Sequence, residues 1–159
     1  MIRKANNDDL DKLTAIARIV ALDMHASGID QWSETYPDYE HFKKDLDREA
    51  LDVFVFDGQV IGSISTLPEN DPFYLQLVWI VKKALVVHRL MVLPEYRRQK
   101  IGSQLLNYAI EKARIEGYDG VKIDTHPDNL RMQGLILSCG FHEVGYMTVF
   151  NRIGYELKF

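Results

Sequence analysis

The chain has little that would suit an oxidising compartment or a membrane. Cys139 is the one cysteine among 159 residues, so an internal disulfide is excluded and a reducing compartment is favoured. Apolar runs such as residues 84–87 are far shorter than the roughly 20 residues that span a bilayer. Residues 1–5 contain two cations and no apolar core. We therefore expect no signal peptide, no membrane partner and a cytoplasmic location.

The chain also lacks an excess of positive charge. Its 19 Lys and Arg against 23 Asp and Glu give a formal net charge of −4, whereas a nucleic-acid-binding protein usually has a broadly basic surface. We expect no nucleic-acid partner. The 47% apolar and 26% charged shares are those of an ordinary globular protein, and the length fits one domain over residues 1–159.

The order of periodic segments predicts a mixed α/β (α+β) domain. Apolar residues at helical spacing predict helices over residues 10–24, 38–48, 101–116 and 129–138. Runs rich in Val, Ile and Phe predict strands over residues 1–5, 51–56, 59–67, 84–93, 121–124, 144–150 and 153–159, and residues 75–83 are ambiguous. Asp57-Gly58 between two such runs is a strong hairpin signal.

A cationic turn between a strand and a helix carries the most functional information. Arg97, Arg98 and Lys100 follow the apolar run at residues 84–93, and Gly102 stands at the helix start. The first N–H groups of a helix have no partner in that helix, and the helix dipole leaves partial positive charge there. The turn therefore predicts a site for a phosphorylated ligand.

Basic residues in a turn are more commonly only a solvated surface. Here their position favours the anion site, because three cations at the start of a helix would be repelled by its dipole unless an anion lay among them.

The ordering of elements resembles the GCN5-related N-acetyltransferase (GNAT) family over essentially the whole chain. The family's acetyl-CoA motif, Arg/Gln-x-x-Gly-x-Gly/Ala, aligns with residues 97–102. The downstream asparagine and Gly-Phe pair recur as Asn129 and Gly140-Phe141. The stretches Gln31-Trp32, Tyr36-Pro37 and Asp124-Thr125-His126 resemble a subgroup of small bacterial members.

The resemblance implies a single domain with a central mixed, mostly antiparallel sheet of about seven strands flanked by about four helices. It also implies acetyl-CoA as co-substrate and no metal. The diphosphate would lie on the turn and helix start, the pantetheine arm along the preceding strand, and Asn129 near the thioester. The implied cofactor-binding residues are Leu90, Met91, Val92, Arg97, Arg98, Gln99, Lys100, Ile101, Gly102, Ser103, Asn129 and Met132.

Two positions depart from the family pattern. Lys100 replaces the first motif glycine, and a positive φ there would strain a non-glycine residue by of order 1 kcal/mol. Ile136 stands where many relatives have a tyrosine that protonates the departing thiolate. A thiol with a pKa near ~8.5 leaves reasonably well without that acid, so we expect activity to survive.

Transfer to an alkyl ammonium requires removal of a proton, because its pKa is near ~10.4. His126 is our first candidate for the catalytic base and His88 the second. Asp124 faces the same side as His126 by strand period. For each histidine, a hydrogen-bonded structural role is the competing interpretation.

Trp32, Glu34 and Tyr36 lie in the irregular segment that covers the acceptor in this family. We predict that they contact the substrate, with Glu34 able to pair with a cation. Packing under the loop explains the two aromatic rings equally well.

The predicted function is transfer of the acetyl group of acetyl-CoA to a primary amine of a small-molecule or amino-acid-like acceptor, by direct attack in a ternary complex. The alternatives are a protein or peptide N-acetyltransferase and a non-catalytic CoA-binding sensor. The expected partner is the amine acceptor, and a homodimer is left open.

Overall fold

The computed structural model describes residues 1–159 as seven strands and four α-helices. The strands are β1 (Ile2–Lys4), β2 (Leu51–Phe56), β3 (Gln59–Leu67), β4 (Ala84–Val92), β5 (Gly120–Thr125), β6 (His142–Met147) and β7 (Arg152–Lys158). The helices are α1 (Leu10–Ala26), α2 (Tyr39–Asp47), α3 (Ile101–Ile115) and α4 (Leu130–Ser138). Short 3-10 turns occupy Asn7–Asp9, Pro72–Gln76 and Pro94–Tyr96.

The strands form one sheet in the order β1-β2-β3-β4-β5-β7-β6. The pairs β1/β2, β2/β3, β5/β7 and β6/β7 are antiparallel, whereas β4 and β5 are parallel. The predicted mixed, mostly antiparallel sheet with about four helices is therefore confirmed. The parallel pairing joins residues 84–86 to residues 120–122, and both strands continue beyond it.

The hairpin between β2 and β3 shows how local chemistry fixes the register. Asp57 and Gly58 have φ values of 49° and 73°, the left-handed pair that a two-residue type I′ turn requires. Phe56 and Gln59 close the hairpin as the last paired residues. The predicted bounds of both strands are confirmed.

The C-terminal hairpin differs from the sequence prediction. The strand predicted over residues 144–150 begins earlier, at His142, and ends at Met147. Residues 148–151 form the turn, with Asn151 at φ 54° and its N–H bonded to Thr148 O. Asparagine tolerates this left-handed conformation, and its turn propensity outweighs the apolar run before it.

The chain divides into two compact units, residues 1–65 with 89–105 and residues 66–88 with 106–159. The expectation of a single domain over residues 1–159 stays a prediction. None of the helices combines the length and hydropathy that crossing a bilayer requires.

In the first unit, α1 packs against α2 and buries one apolar face. Leu10, Leu13, Ile16 and Ala17 are fully buried on α1, and Phe42 is fully buried on α2. The spacing of three and four residues places the four α1 residues on one side of that helix.

In the second unit, a buried cluster contains Tyr74, Trp79, Val86 and Met147. The Tyr74 and Trp79 rings are stacked with centroids 4.8 Å apart. Glu156, which is 1% exposed, accepts hydrogen bonds from the N–H groups of Ile80 and Val81 at 2.9 and 3.1 Å. This one carboxylate holds the segment before β4 against β7.

Candidate active site

The second half of β4 contains the predicted pantetheine-binding residues. Leu90 and Met91 are buried and Val92 is half-buried. A Cβ at Gly62 would lie 2.6 Å from the carbonyl oxygen of Met91. The glycine at position 62 therefore allows β3 to approach the predicted cofactor strand closely.

The basic turn (residues 97–100) has an unusual backbone. Arg98 and Lys100 have φ values of 63° and 61°, in the left-handed region that favours glycine. Lys100 thus adopts the conformation that the replaced motif glycine would take without strain. Alternation of left-handed and ordinary residues turns successive N–H groups toward one concavity, the geometry of an anion nest.

The start of α3 continues this set of donors. The first helical hydrogen bond runs from the Gln104 N–H to Lys100 O at 3.0 Å. The N–H groups of Ile101, Gly102 and Ser103 therefore have no carbonyl partner within the helix. The half-buried Gly102 and Ser103 present little side-chain bulk there. Such an end can bind phosphate oxygens.

The three cations of the basic turn do not have equal surroundings. The Arg97 guanidinium donates to Asp23 on α1 at 2.7 Å, and the Asp23 side chain is 34% exposed. Arg98 and Lys100, like Gln99 between them, are exposed. Arg97 is therefore committed to a protein carboxylate, whereas the side chains of residues 98–100 extend into solvent.

The predicted acceptor-covering residues differ in burial. Trp32 is buried, and its carbonyl oxygen lies 3.0 Å from Nε2 of His25. Glu34 is exposed. Tyr36 is 37% exposed, and its ring meets the His41 ring edge-on with centroids 4.8 Å apart. The fully enclosed Trp32 ring fits packing, whereas Glu34 and Tyr36 are accessible.

Arg89 joins this segment to the sheet through a network that the sequence analysis missed. Its guanidinium donates to both carboxylate oxygens of Asp45 at 2.6 and 2.7 Å and to the Tyr36 hydroxyl at 3.1 Å. Ser65 Oγ donates to Asp45 Oδ2 at 2.7 Å. Burial alone would lower the pKa of Arg89, but the hydrogen bonds and charge of Asp45 more than offset it and keep that pKa above its ordinary value. The sequence did contain a signal for this network: Arg89 is the one permanently charged residue in the apolar strand β4, and a buried arginine requires a partner.

In the second unit, His126 lies just after β5 and is 4% exposed. Its Nδ1 accepts the Asp128 N–H at 3.0 Å, and its Nε2 lies 3.1 Å from Nδ2 of Asn151. A neutral imidazole that accepts a hydrogen bond at Nδ1 has its proton on Nε2, so its partner must be an acceptor. The Asn151 amide is therefore assigned the rotated orientation, with its oxygen toward His126 and its N–H toward Tyr146. The Tyr146 hydroxyl oxygen, at 2.6 Å, then accepts that N–H.

Asn129 and Met132 lie at the start of α4. The buried Asn129 is the N-cap residue, and its side-chain oxygen accepts the Met132 N–H at 3.2 Å. Ile136, at the position where the family resemblance predicts a tyrosine acid, is fully buried and supplies no proton donor.

His88 and Asp124 lie near the point where β4 and β5 stop pairing. His88 is half-buried, with Nδ1 3.6 Å from a carboxylate oxygen of Asp71. The Asp124 Oδ2 accepts the Tyr74 hydroxyl at 2.6 Å, and its Oδ1 lies 3.7 Å from Nε of Arg152. The sequence analysis missed Tyr74, which lies in a Pro-led turn where no periodicity indicates burial.

The Asp124 carboxyl has a strongly perturbed acidity. Burial raises its pKa to about 6, with a further contribution from Asp71, although Tyr74 and Arg152 act in the opposite direction. Burial and the charge of Asp124 also raise the pKa of Tyr74 well above its ordinary value. Tyr74 therefore stays protonated and donates to Asp124.

The fold is that of an α/β protein. Strand β4 is followed directly by the basic turn, with left-handed Arg98 and Lys100, and then by the N-terminus of α3. The turn and the helix N-terminus together present a continuous set of backbone N–H donors. Residues 16–141 match the Acetyltransferase (GNAT) family, and the chain belongs to this family. The family predicted from the sequence is thereby confirmed.

Several named proteins are similar to this chain. N-acetyltransferase 8 of Homo sapiens is 33% identical over 87 residues, which are 55% of this chain and 36% of the human protein. Aminoalkylphosphonate N-acetyltransferase of Salmonella typhimurium is 35% identical over 96 residues, 56% of this chain and 58% of that enzyme. The chain thus spans about a third to three fifths of the length of these curated relatives.

Solved structures are similar over nearly the whole chain. An acetyltransferase of the GNAT family from Streptococcus agalactiae has a TM-score of 0.89 at 18% identity, covering 100% of this chain and 95% of that one. The PaiA N-acetyltransferase from Thermoplasma acidophilum, solved in complex with coenzyme A, has a TM-score of 0.75 at 22% identity, covering 100% and 98%. At these identities the likeness establishes the fold.

Proposed function

We propose that the protein transfers the acetyl group of acetyl-CoA to a primary amine of a small molecule by direct attack in a ternary complex. Family membership and the similarity to named N-acetyltransferases support the reaction class. The observation that carries the proposal is the basic turn, where Arg98 and Lys100 have positive φ directly before the helix start.

The diphosphate of acetyl-CoA would bind the N–H groups of residues 98–103. Lys100 adds a full charge to these partial ones and compensates for its own backbone strain. The pantetheine arm would follow Leu90 to Val92, and Asn129 and Met132 at the start of α4 complete the predicted set. Acetyl-CoA is the co-substrate, and no step needs a metal.

The acceptor must lose a proton before its nitrogen attacks, since an alkyl ammonium is protonated at neutral pH. His126 and His88 remain the proposed bases from the sequence. The hydrogen bonds to both ring nitrogens of His126 must open for it to act in this way. The thiolate leaves without a tyrosine acid at position 136, because its own pKa is only slightly above neutral.

A small molecule is the proposed acceptor, in line with the aminoalkylphosphonate named for one relative. The accessible Glu34 and Tyr36 are the proposed contacts, and the buried Trp32 is assigned a packing role. A protein amine or a sensor without turnover are the alternative outcomes.

Thiol release from acetyl-CoA, measured against monoamines, polyamines, amino acids, aminophosphonates and lysine peptides, tests the proposal. We expect turnover with at least one small amine. Turnover confined to peptides would establish the protein-directed alternative. CoA binding without turnover on the whole panel would favour the sensor.

Gly102→Glu tests the position of the diphosphate. The new carboxylate would stand at the helix start and repel the phosphates, so we expect CoA binding to be lost in isothermal titration calorimetry. Gly134→Glu is the matched control, because a Cβ at the exposed Gly134 on α4 meets no atom within 4 Å. Unchanged CoA affinity of Gly102→Glu would refute the placement.

A further inference from the structure

The position of Asp124 on β5 differs from that of the carboxylates that stabilise the fold. It lies beyond residue 122, where the pairing of β5 with β4 ends. On its other side it pairs with Gly154 of β7, where Leu77, Trp79 and Met147 fill the space that a side chain would take. The Asp124 side chain is 14% exposed, so it is largely dry yet reachable.

The two carboxylate oxygens of Asp124 differ in their hydrogen bonding. Oδ2 takes a short hydrogen bond from Tyr74, whereas Oδ1 has its nearest cation, Arg152, at 3.7 Å. That distance is too long for a hydrogen bond. Oδ1 can therefore accept an N–H from a bound molecule, while Tyr74 fixes the orientation of the carboxyl group.

The groups around Asp124 set its charge. Tyr74 and Asp71 come from the segment between β3 and β4, Arg152 from β7, and His88 on β4 faces Asp71. Burial and Asp71 hold the Asp124 pKa near 6, between that of a surface carboxylate and that of an amine. A base with a pKa close to the working pH is the most effective one for proton transfer.

We propose that Asp124 is a catalytic residue that binds the ammonium group of the acceptor through Oδ1 and removes its proton, with Tyr74 as the positioning residue. This inference rests on the proposed function and assigns its base. It differs from the histidine assignment because Asp124 Oδ1 has only the long ion pair with Arg152, whereas both ring nitrogens of His126 are in hydrogen-bond contact.

The step balances as follows. The ammonium proton passes to Oδ1 of Asp124, and the neutral amine attacks the thioester carbonyl carbon. The C–N bond forms, the C–S bond breaks, and the second nitrogen proton ends on the departing CoA sulfur. The protonated Asp124 then releases its proton to water.

Asp124→Asn is the central test, because the amide keeps the size of the side chain and still accepts the Tyr74 hydroxyl. We expect kcat/KM to fall by about 10²–10³-fold on the best amine of the panel, with the CoA dissociation constant within twofold of the parent. The acid limb of kcat/KM against pH, with a midpoint near 6 in the parent, should disappear. Asp11→Asn on α1 is the exposed control and should match the parent.

Tyr74→Phe tests the positioning role. The hydrogen bond from Tyr74 lowers the Asp124 pKa, so its removal should move the acid limb to higher pH. A merely structural tyrosine would lower the amount of folded enzyme without moving that limb.

A rate for Asp124→Asn within threefold of the parent, with the acid limb intact, would overturn the inference. NMR titration of protein labelled with carboxyl-¹³C-aspartate, using cadaverine and tyramine as amines, distinguishes failure of this inference from failure of the proposed function. Perturbation of the Asp124 resonance in a parent that shows no turnover would support amine binding while the transferase proposal failed. With no turnover and no perturbation, the inference fails as well.

Discussion

At the scale of single residues, Lys100 combines backbone strain with a useful charge. Its φ of 61° disfavours any side chain, yet the ammonium group stands beside the proposed diphosphate. A glycine would relieve the strain and remove the charge. The two effects can be separated by comparing two variants.

Lys100→Gly should raise the free energy of unfolding by no more than about 1 kcal/mol, because relief of strain is partly offset by the greater entropy of the unfolded glycine. It should weaken CoA binding by about three- to tenfold, or ~0.7–1.4 kcal/mol. Urea denaturation and calorimetry measure the two quantities. Lys100→Gln should lose the same affinity without the gain in stability. Tighter CoA binding by Lys100→Gly would contradict the assigned role of the charge.

At the scale of secondary-structure elements, the Arg89–Asp45 pair connects β4 to α2. Both side chains are at least nine-tenths buried, with exposed fractions of 10% and 3%. Removing one partner of such a pair leaves a buried charge uncompensated. Arg89 also donates to the Tyr36 hydroxyl, so the pair couples the proposed cofactor strand to the segment that contains Tyr36.

Asp45→Asn should lower the free energy of unfolding by about 3–5 kcal/mol, because Arg89 keeps its charge without a counter-ion. Urea denaturation measures this effect. Asp47→Asn breaks the exposed pair with Lys43 on the same helix and should leave the midpoint unchanged. The double variant Asp45→Asn with Arg89→Met should recover part of the loss. A single variant as stable as the parent would show that the pair is dispensable.

The elements also show what a sequence can predict. The β2–β3 hairpin was predicted within its observed bounds because Asp57-Gly58 encodes its turn locally. The bounds of β6 were wrong, because a register shift between Glu143 and Gly145 and a turn ending at Asn151 interrupt an otherwise strand-like run. Short apolar runs carry no information on where pairing stops.

In the candidate site, too, local features were predicted and non-local contacts were not. The basic turn was visible as a motif because its residues are contiguous, and the replaced glycine identified Lys100 as the position where a positive φ would cause strain. The contact between Tyr74 and Asp124 joins residues 50 positions apart, so no local pattern indicates it. Pairings of this kind are set by the topology of the sheet.

At the scale of the whole molecule, Asp124 should influence stability against pH. Its pKa is about 6 in the folded state and near ~3.9 in the unfolded state. A raised carboxyl pKa means that the stabilising contribution is complete below about pH 4 and is lost as the pH rises through 6. The charged form at neutral pH therefore opposes folding.

Asp124→Asn should consequently raise the free energy of unfolding at pH 7 by about 2 kcal/mol and leave it nearly unchanged at pH 4. Urea titrations at several pH values measure the difference curve. Asp9→Asn provides a control of opposite sign, because hydrogen bonds from Arg3 lower the Asp9 pKa. That variant should lose stability at pH 7. Destabilisation of the protein by Asp124→Asn at pH 7 would show that the charged carboxylate supports the fold.

The hydrogen bonds from the N–H groups of Ile80 and Val81 to Glu156 limit which changes the segment before β4 can accept. Because Tyr74 and Trp79 of the same segment are also packed in the buried cluster, an insertion ahead of residue 79 would displace the hydrogen bond from Tyr74 to Asp124. Leu75 and Val78, which are 88% and 91% exposed, lie in this stretch. Substitutions at these two exposed positions, rather than insertions, are therefore the changes that this segment should tolerate.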